Sequence, residues 1–211
     1  MLSHIGDWLN TNLPKTGLPD SGLSADVMVR RELEADFGLL HYPLYAWPKT
    51  FAVPWKGAPL IGVGWTLGWT DQYRVNTIAL YRPVGGSYQQ VALTHYLPHY
   101  DITYAFLDQP ASGDFWFVAY GKRLGLSQPR TGAVLYQFDG KSLKTLWQIQ
   151  DLYDARINVG TNWVTVRYVK ENEFIEATAH KRTPPRFEAI YKTTPSGLEL
   201  QSEHTVPFNE R

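Results

Sequence analysis

Apolar and polar residues alternate along most of this chain, and the alternation has the period of a β-strand. In one such segment, Val164, Val166 and Tyr168 fall on the same face. The intervening Thr165 and Arg167 fall on the other face. A period of two residues is that of a strand, because successive side chains point to opposite sides of a sheet. This pattern therefore predicts a half-buried strand.

Similar runs recur from Val27 to the C-terminus and predict a chain made mostly of short strands. They are rich in Val, Ile, Tyr, Phe, Trp and Thr, and Gly, Pro, Asp or Ser bounds many of them. Only in segment 27–37 does a helix compete with this interpretation. The predicted strands are 59–65, 77–81, 88–93, 102–107, 114–120, 132–138, 143–149, 163–169, 174–179, 187–192 and 198–204.

The first 24 residues follow a different pattern. Four apolar residues recur there at spacings of three and four, which places them on one face of a short helix: Leu2, Ile5, Trp8 and Leu9. Segment 14–24 contains prolines and glycines and is typical of a linker. We predict an N-terminal arm over residues 1–24 and one domain over residues 25–211. The arm either folds back onto this domain or docks onto a partner.

A tyrosine-ended apolar triplet recurs at a constant offset of 55 residues, at positions 79–81, 134–136 and 189–191. Further apolar positions upstream, 60–65 and 115–120, align at the same offset. The third copy has seven extra residues, which we place in segment 171–186. A recurrence of this length is typical of small sheets that pack on one another. We predict an all-β fold of antiparallel sheet repeats, β-propeller-like, with about four blades. A single sandwich or closed barrel is the alternative, but neither needs a repeat.

Segment 132–147, with the sequence GAVLYQFDGKSLKTLW, resembles the blade consensus of quinoprotein-type (PQQ-like) β-propellers. Those blades show a small-apolar-Tyr strand, an Asp, a Gly-containing turn and a strand that ends in Leu-Trp. The resemblance implies blade architecture and covers one unit. The chain is shorter than the eight-bladed catalytic members and has no vicinal cysteines, so we expect no quinone cofactor.

Charge and composition exclude several function classes. Lys plus Arg equals Asp plus Glu at 20 each, so no net field attracts nucleic acid. The absence of cysteine excludes disulfides, Cys-based zinc sites and thiol nucleophiles. No apolar run reaches the roughly 18–20 residues of a membrane span. Residues 1–12 lack the features of a secretory signal. The protein is then cytoplasmic, unless a signal was removed, in which case it is periplasmic or extracellular. The lack of cysteine does not decide between these locations, because bacterial proteins of either kind can lack it.

Three kinds of chemistry have candidate residues. A metal-dependent hydrolase could use His95, His99 and Asp101, since His and Asp ligate divalent ions. A carbohydrate-binding or glycan-processing propeller could use aromatic rings together with Asp101, Asp108 or Asp114. The basic segment 180–186 fits an acidic partner surface or a solvated turn. Ordinary loop and core roles account for the same residues.

The interpretation that we favour is a non-enzymatic protein-binding or scaffold module, an accessory subunit of a larger assembly that needs no cofactor. It rests on the repeat, the separable arm and the lack of a catalytic constellation. A carbohydrate-binding or glycan-processing propeller is the alternative. Aromatic residues are favoured at protein interfaces. The expected partner-binding residues are the apolar face of the arm and four tryptophans: Leu2, Ile5, Trp8, Leu9, Trp47, Trp55, Trp65 and Trp69.

Overall fold

The computed structural model describes residues 10, 45–53, 55, 60–68, 74–94, 100–108, 114–123 and 130–207. Within these ranges the chain forms mostly strands. The helix Glu171–Ala179 is described over its whole length. That helix is too short and too polar to cross a membrane. The elements are β1 (Tyr45–Val53), β2 (Leu60–Gly68), β3 (Arg74–Val84), β4 (Ser87–Leu93), β5 (Tyr100–Leu107), β6 (Phe115–Arg123), β7 (Arg130–Phe138), β8 (Leu143–Val159), β9 (Trp163–Val169), α1 (Glu171–Ala179), β10 (Arg186–Thr194) and β11 (Gly197–Val206).

The strands form two sheets, and the prediction of an all-β protein is confirmed. One sheet has four strands in the order β1-β2-β3-β4. The other has seven strands in the order β11-β10-β9-β8-β7-β6-β5. Pairing is antiparallel within β1–β4, within β8–β11 and between β6 and β7. Contacts divide the chain into a first unit, residues 1–100 with 140–143, and a second unit, residues 101–139 with 144–211.

In the first unit, β3 contributes buried side chains to the sheet. Leu80 is fully buried and Tyr81 nearly so. A two-residue turn at Gly85 and Gly86, with φ of 56° and 83°, joins β3 to β4. Two positive φ angles in a two-residue loop match the twist of a hairpin, and glycine adopts them without steric cost. This unit is therefore a meander with a short, well-specified hairpin at β3–β4.

The second unit has a core formed by side chains from both halves of its sheet. Its buried members come from β5 to β9 and β11: Leu107, Trp116, Val118, Ala133, Leu135, Ile157, Val164, Val166 and Leu198. Val164 and Val166 are 0% and 1% exposed, and Tyr168 packs against the same cluster. The face predicted from the alternation in β9 is thus confirmed. Burial of this face fixes the register of β9, since a one-residue slip would turn Val164 and Val166 to the other face of the sheet.

Strand β8 is much longer than the predicted segment 143–149, and it bends. Asp151 and Asp154 have positive φ values of 56° and 42°. Opposite β9, the partners shift between Tyr153 and Arg156, so that β8 carries one extra residue there. An extra residue of this kind is a β-bulge, which bends and twists a strand. Aspartate tolerates this backbone better than most residues, because its carboxylate hydrogen-bonds locally.

Helix α1 contradicts the strand predicted over 174–179, and this prediction was wrong. Ala177 is buried and Phe174 is half-buried, a spacing of three residues that suits a helix. Glu171 and Glu173 lie in the first turn, where carboxylates are favoured by the helix dipole. The Phe174 ring stacks on Tyr153 of β8, with ring centroids 4.5 Å apart. The helix lies within segment 171–186, where the seven extra residues of the third copy were placed.

The register of two hairpins agrees with the 55-residue spacing, and that of a third pair departs from it. In β3–β4, Ala79 lies opposite Leu93, with a bulge before Tyr81. In β10–β11, Ala189 lies opposite Glu203, with a bulge at the same step of the triplet. From Ala189 to Thr194, every partner number is 110 higher than in the first hairpin.

By contrast, Ile61 of β2 lies opposite Tyr81, so the 55-residue offset would place Trp116 of β6 opposite Tyr136. The observed partner of Trp116 is Gln137, one residue further along β7. The second sheet also continues through seven strands instead of ending after four. Propeller closure and a count of four blades therefore stay predictions. The boundary between arm and domain at residues 24 and 25 lies outside the described residues.

Candidate functional site

Most of the predicted partner-binding and metal-binding residues lie where the structure describes no side chain. Seven of them lie outside the described residues: Leu2, Ile5, Trp8, Leu9, Trp69, His95 and His99. Three occupy strand positions in β1, β2 and β5, but their side chains are not described: Trp47, Trp65 and Asp101. Elsewhere, no group of three or more His, Asp or Glu side chains is arranged to hold a metal ion among the described residues. The metal and arm hypotheses stay predictions.

Trp55 is the one predicted tryptophan with a described side chain, and it packs within the first unit. It is half-buried. A Cβ added at Gly140 would lie 3.1 Å from the indole ring, so the ring sits directly over this glycine. The Gly140 carbonyl also accepts a hydrogen bond of 2.9 Å from Nη2 of Arg82. These contacts give Trp55 a packing role, and its partner-binding role stays a prediction.

The two described candidate aspartates differ in their surroundings. Asp114 accepts a hydrogen bond of 2.5 Å from the side-chain amide of Gln137. Asp108 is exposed, and its backbone amide donates to the carbonyl of Thr161. Neither arrangement has the pair of facing carboxylates that glycoside hydrolysis uses. Glycan processing at these residues stays a prediction.

Strand β11 forms one edge of the seven-stranded sheet. It is the terminal strand in the sheet order and pairs only with β10 among the described strands. Residues 199–205 are all exposed, and Leu200 keeps 51% of its surface accessible. An edge strand presents a row of backbone N–H and C=O groups that another strand can pair with. The hydrophobic alternation predicted this strand, but not its position at the edge.

Two separate sets of charged and polar side chains lie beside this edge, on opposite faces of the sheet. Glu203 accepts hydrogen bonds from Nζ of Lys170 at 2.8 Å and from the hydroxyl of Tyr168 at 2.5 Å. These two bonds, that from Lys170 first, lower the pKa of Glu203 from its ordinary value of 4.5. Arg167 bonds Glu188 across the adjacent β9–β10 pair. The contacts of Glu203 with Tyr168 and Lys170 tie β11 to the end of β9 and keep Glu203 ionised, and the Arg167–Glu188 pair ties β9 to β10.

A groove of about 500 Å³ lies on the second unit, across β5 to β8. Its described lining residues include two cations, three hydroxyl-bearing residues and an amide: Thr103, Tyr120, Gly121, Lys122, Thr131, Ala155, Arg156, Ile157 and Asn158. Lys122 lies directly opposite Thr131 in the β6–β7 register. The Thr131 hydroxyl is 3.4 Å from the carbonyl oxygen of Ala155, which ties the floor of the groove to β8. The sequence did not indicate this site, because its residues come from four separate strands.

A polar cluster around the buried ring of Tyr153 lies between β7, β8 and the start of α1. Arg130 donates from Nη2 to the Tyr153 hydroxyl at 2.7 Å, and this hydroxyl donates to Glu171 at 3.2 Å. The guanidinium also lies 4.8 Å from the centre of the Tyr153 ring and 3.7 Å from a carboxylate oxygen of Asp151. Burial, and then the bond to Glu171, raises the pKa of Tyr153. Tyr153 therefore stays protonated and joins α1 to the sheet rather than acting as a base.

Comparison with protein-family models, curated proteins and solved structures found no match to this chain.

Proposed function

We propose that this protein is a non-enzymatic protein-binding module, an accessory or scaffold subunit, that takes up an extended segment of a partner along β11. The observation that supports the proposal is the ten-residue edge strand Gly197–Val206, in which residues 199–205 are exposed. Addition of a strand to a sheet edge is a recurrent way of binding peptides, because main-chain hydrogen bonds supply affinity and alternate side chains supply specificity.

The composition of β11 favours pairing with another strand. Natural edge strands often carry lysine or proline that blocks such pairing. Segment 197–206 contains neither, and it exposes Leu200. The pairing of β11 with β10 contains a bulge opposite the step from Ile190 to Tyr191. The strand therefore offers backbone groups and an apolar side chain to an incoming segment.

The charges on this strand favour a basic partner over a second copy of the chain. Glu199 is exposed and forms no ion pair with another described residue. Glu203, four residues further along the strand, is ionised and paired with Lys170. Two copies paired edge to edge would bring these carboxylates near one another, and like charges directly opposite destabilise a strand pair. We expect a partner segment that alternates apolar side chains with Lys or Arg.

The test compares Leu200→Lys with the matched control Ile175→Lys. Ile175 lies on α1 and is 59% exposed, so both variants place the same charge at an exposed aliphatic position. The probe is a synthetic, fluorescently labelled strand peptide of alternating valine and lysine, and fluorescence anisotropy measures its binding. We expect Leu200→Lys to weaken binding at least tenfold and Ile175→Lys to leave it within twofold, because a lysine at the edge repels the basic peptide and shields the backbone.

The same variants can be compared by gentle purification from the source organism. A companion protein that is retained by the wild type and by Ile175→Lys, but lost from Leu200→Lys, supports the proposal. Equal peptide affinity for all three proteins would contradict it. Increased amide-exchange protection confined to β11 on peptide binding is the further expected result, whereas protection elsewhere would assign the peptide to another surface.

A further inference from the structure

The four-stranded sheet of the first unit ends in an edge strand that carries no charge. Strand β4 is last in the sheet order and pairs only with β3 among the described strands. Its sequence, SYQQVAL, contains no charged residue, no proline and no glycine. Four of its seven side chains are exposed, and Leu93 keeps 40% of its surface accessible. An uncharged segment of this length pairs readily with another strand when its edge is open, so β4 needs a cover.

The two-glycine turn that precedes β4 decides which of its backbone groups face outward. In a two-residue hairpin, the residues that flank the turn exchange both backbone hydrogen bonds, and here these are Val84 and Ser87. The next pair along the hairpin, Pro83 and Tyr88, is then a pair without such bonds. The N–H of Tyr88 therefore points away from β3, towards the open side of the strand, where it needs an acceptor.

A residue from the N-terminal segment supplies this acceptor. The side-chain oxygen Oδ1 of Asn10 accepts a hydrogen bond from the backbone N–H of Tyr88. The two residues are 78 positions apart in the chain, and both belong to the first unit. Asn10 is half-buried, whereas asparagine is mostly exposed in soluble proteins. Its side-chain carbonyl takes the place that a backbone carbonyl of an added strand would occupy.

We propose that the N-terminal segment of this chain docks on the edge of β4 through Asn10 and closes this edge to pairing with a second copy of the chain. Natural proteins often protect an edge by covering it with a helix or a loop. Two copies that paired through β4 would bring no like charges together, so charge alone does not prevent this contact as it does at β11. Of the two roles predicted for the arm, the contact favours folding back onto the domain. The inference is independent of peptide binding at β11.

Hydrogen exchange of the Tyr88 amide, followed by NMR, tests the contact. In Asn10→Ala we expect this amide to exchange on the order of tenfold faster than in the wild type, because its acceptor is lost. Asn10→Asp keeps an acceptor oxygen and should retain most of the protection. The internal reference is the amide of Ile78 on β3, which donates to the Thr94 hydroxyl at 2.8 Å and should not change. Equal acceleration at Ile78 would mean general unfolding and would contradict the proposal, as would unchanged exchange at Tyr88.

Sedimentation equilibrium of the full-length variants tests whether this contact closes the edge. Asn10→Ala should form dimers at concentrations at which the wild type and the matched control Asn172→Ala do not. Asn172 is an exposed asparagine on α1, outside the first unit. If Asn10→Ala associates no more than the wild type, or if Asn172→Ala dimerises equally, the proposal is overturned.

A second substitution locates the pairing edge. In the Asn10→Ala background, Gln89→Lys should restore the monomer, because a lysine on an edge strand blocks pairing and two copies would place like charges near one another. Gln89 is exposed, so this change should leave the fold intact. Leu200→Lys in the same background places an equal charge on β11 instead, and the dimers should persist. Dimers that survive Gln89→Lys, or that disappear with Leu200→Lys, would refute the assignment to β4.

Discussion

Truncation of Leu135 to alanine tests whether the core of the second unit is packed as described. Leu135 is 0% exposed and lies on β7 within the cluster that contains Trp116 and Val164. The substitution removes three carbon atoms, and at about 0.8 kcal/mol per buried methylene the transfer cost is roughly 2.4 kcal/mol. Neighbouring strands on both sides restrict collapse of the cavity, so we expect a total loss of about 3–4 kcal/mol, within the known range for Leu→Ala in cores.

Urea unfolding followed by tryptophan fluorescence measures this loss as a change in the free energy of unfolding. For a chain of this size, a loss of about 3–4 kcal/mol lowers the melting temperature by roughly 6–15 °C. Leu200→Ala is the matched control, because Leu200 is 51% exposed and should cost less than about 1.5 kcal/mol. If Leu135→Ala costs no more than Leu200→Ala, then β7 does not lie in the middle of a packed core, and the described strand order would be refuted.

Three further outcomes follow from particular residues. The pKa of Glu203 is lowered in the folded state, so its contribution to the free energy of unfolding is present above pH 4.5 and is lost as the pH falls through the folded pKa. In urea titrations, Glu203→Gln should therefore narrow the difference in free energy of unfolding between pH 7 and pH 3. Gly197→Ala should destabilise the protein by about 1–3 kcal/mol, because φ is 143° and a Cβ would lie 3.1 Å from a backbone carbonyl oxygen. Gly85→Ala, at φ of 56° with open space around the Cβ, should destabilise it by about 1–2 kcal/mol or less, and thermal melts compare the two. Phe174→Ala removes the stack on Tyr153 and should increase amide exchange in α1 ahead of the sheet, while unchanged exchange would mean that the helix is held by other contacts.

The sequence predicted the strands best where one face is buried and the pattern is local. Segment 163–169 was predicted as a strand and forms β9 with the same bounds. Its alternation depends on residues two apart, and no distant contact is needed to recognise it. By contrast, β1 and the second half of β8 were not predicted, since a proline at position 48 and two aspartates in β8 are typical of loops. Helix α1 was mistaken for a strand because its apolar residues are few and its stability comes from the contact of Phe174 with β8.

Composition and hydrophobic periodicity by themselves determined that this is an antiparallel all-β chain without cysteine chemistry or a global charge. Those properties follow from residue counts and from neighbours along the chain. Only the tertiary structure decided that β4 and β11 lie at sheet edges and that Asn10 bonds Tyr88. The physical reason is that sheet order is set by long-range pairing, which brings together residues whose separation along the chain carries no signal of their contact.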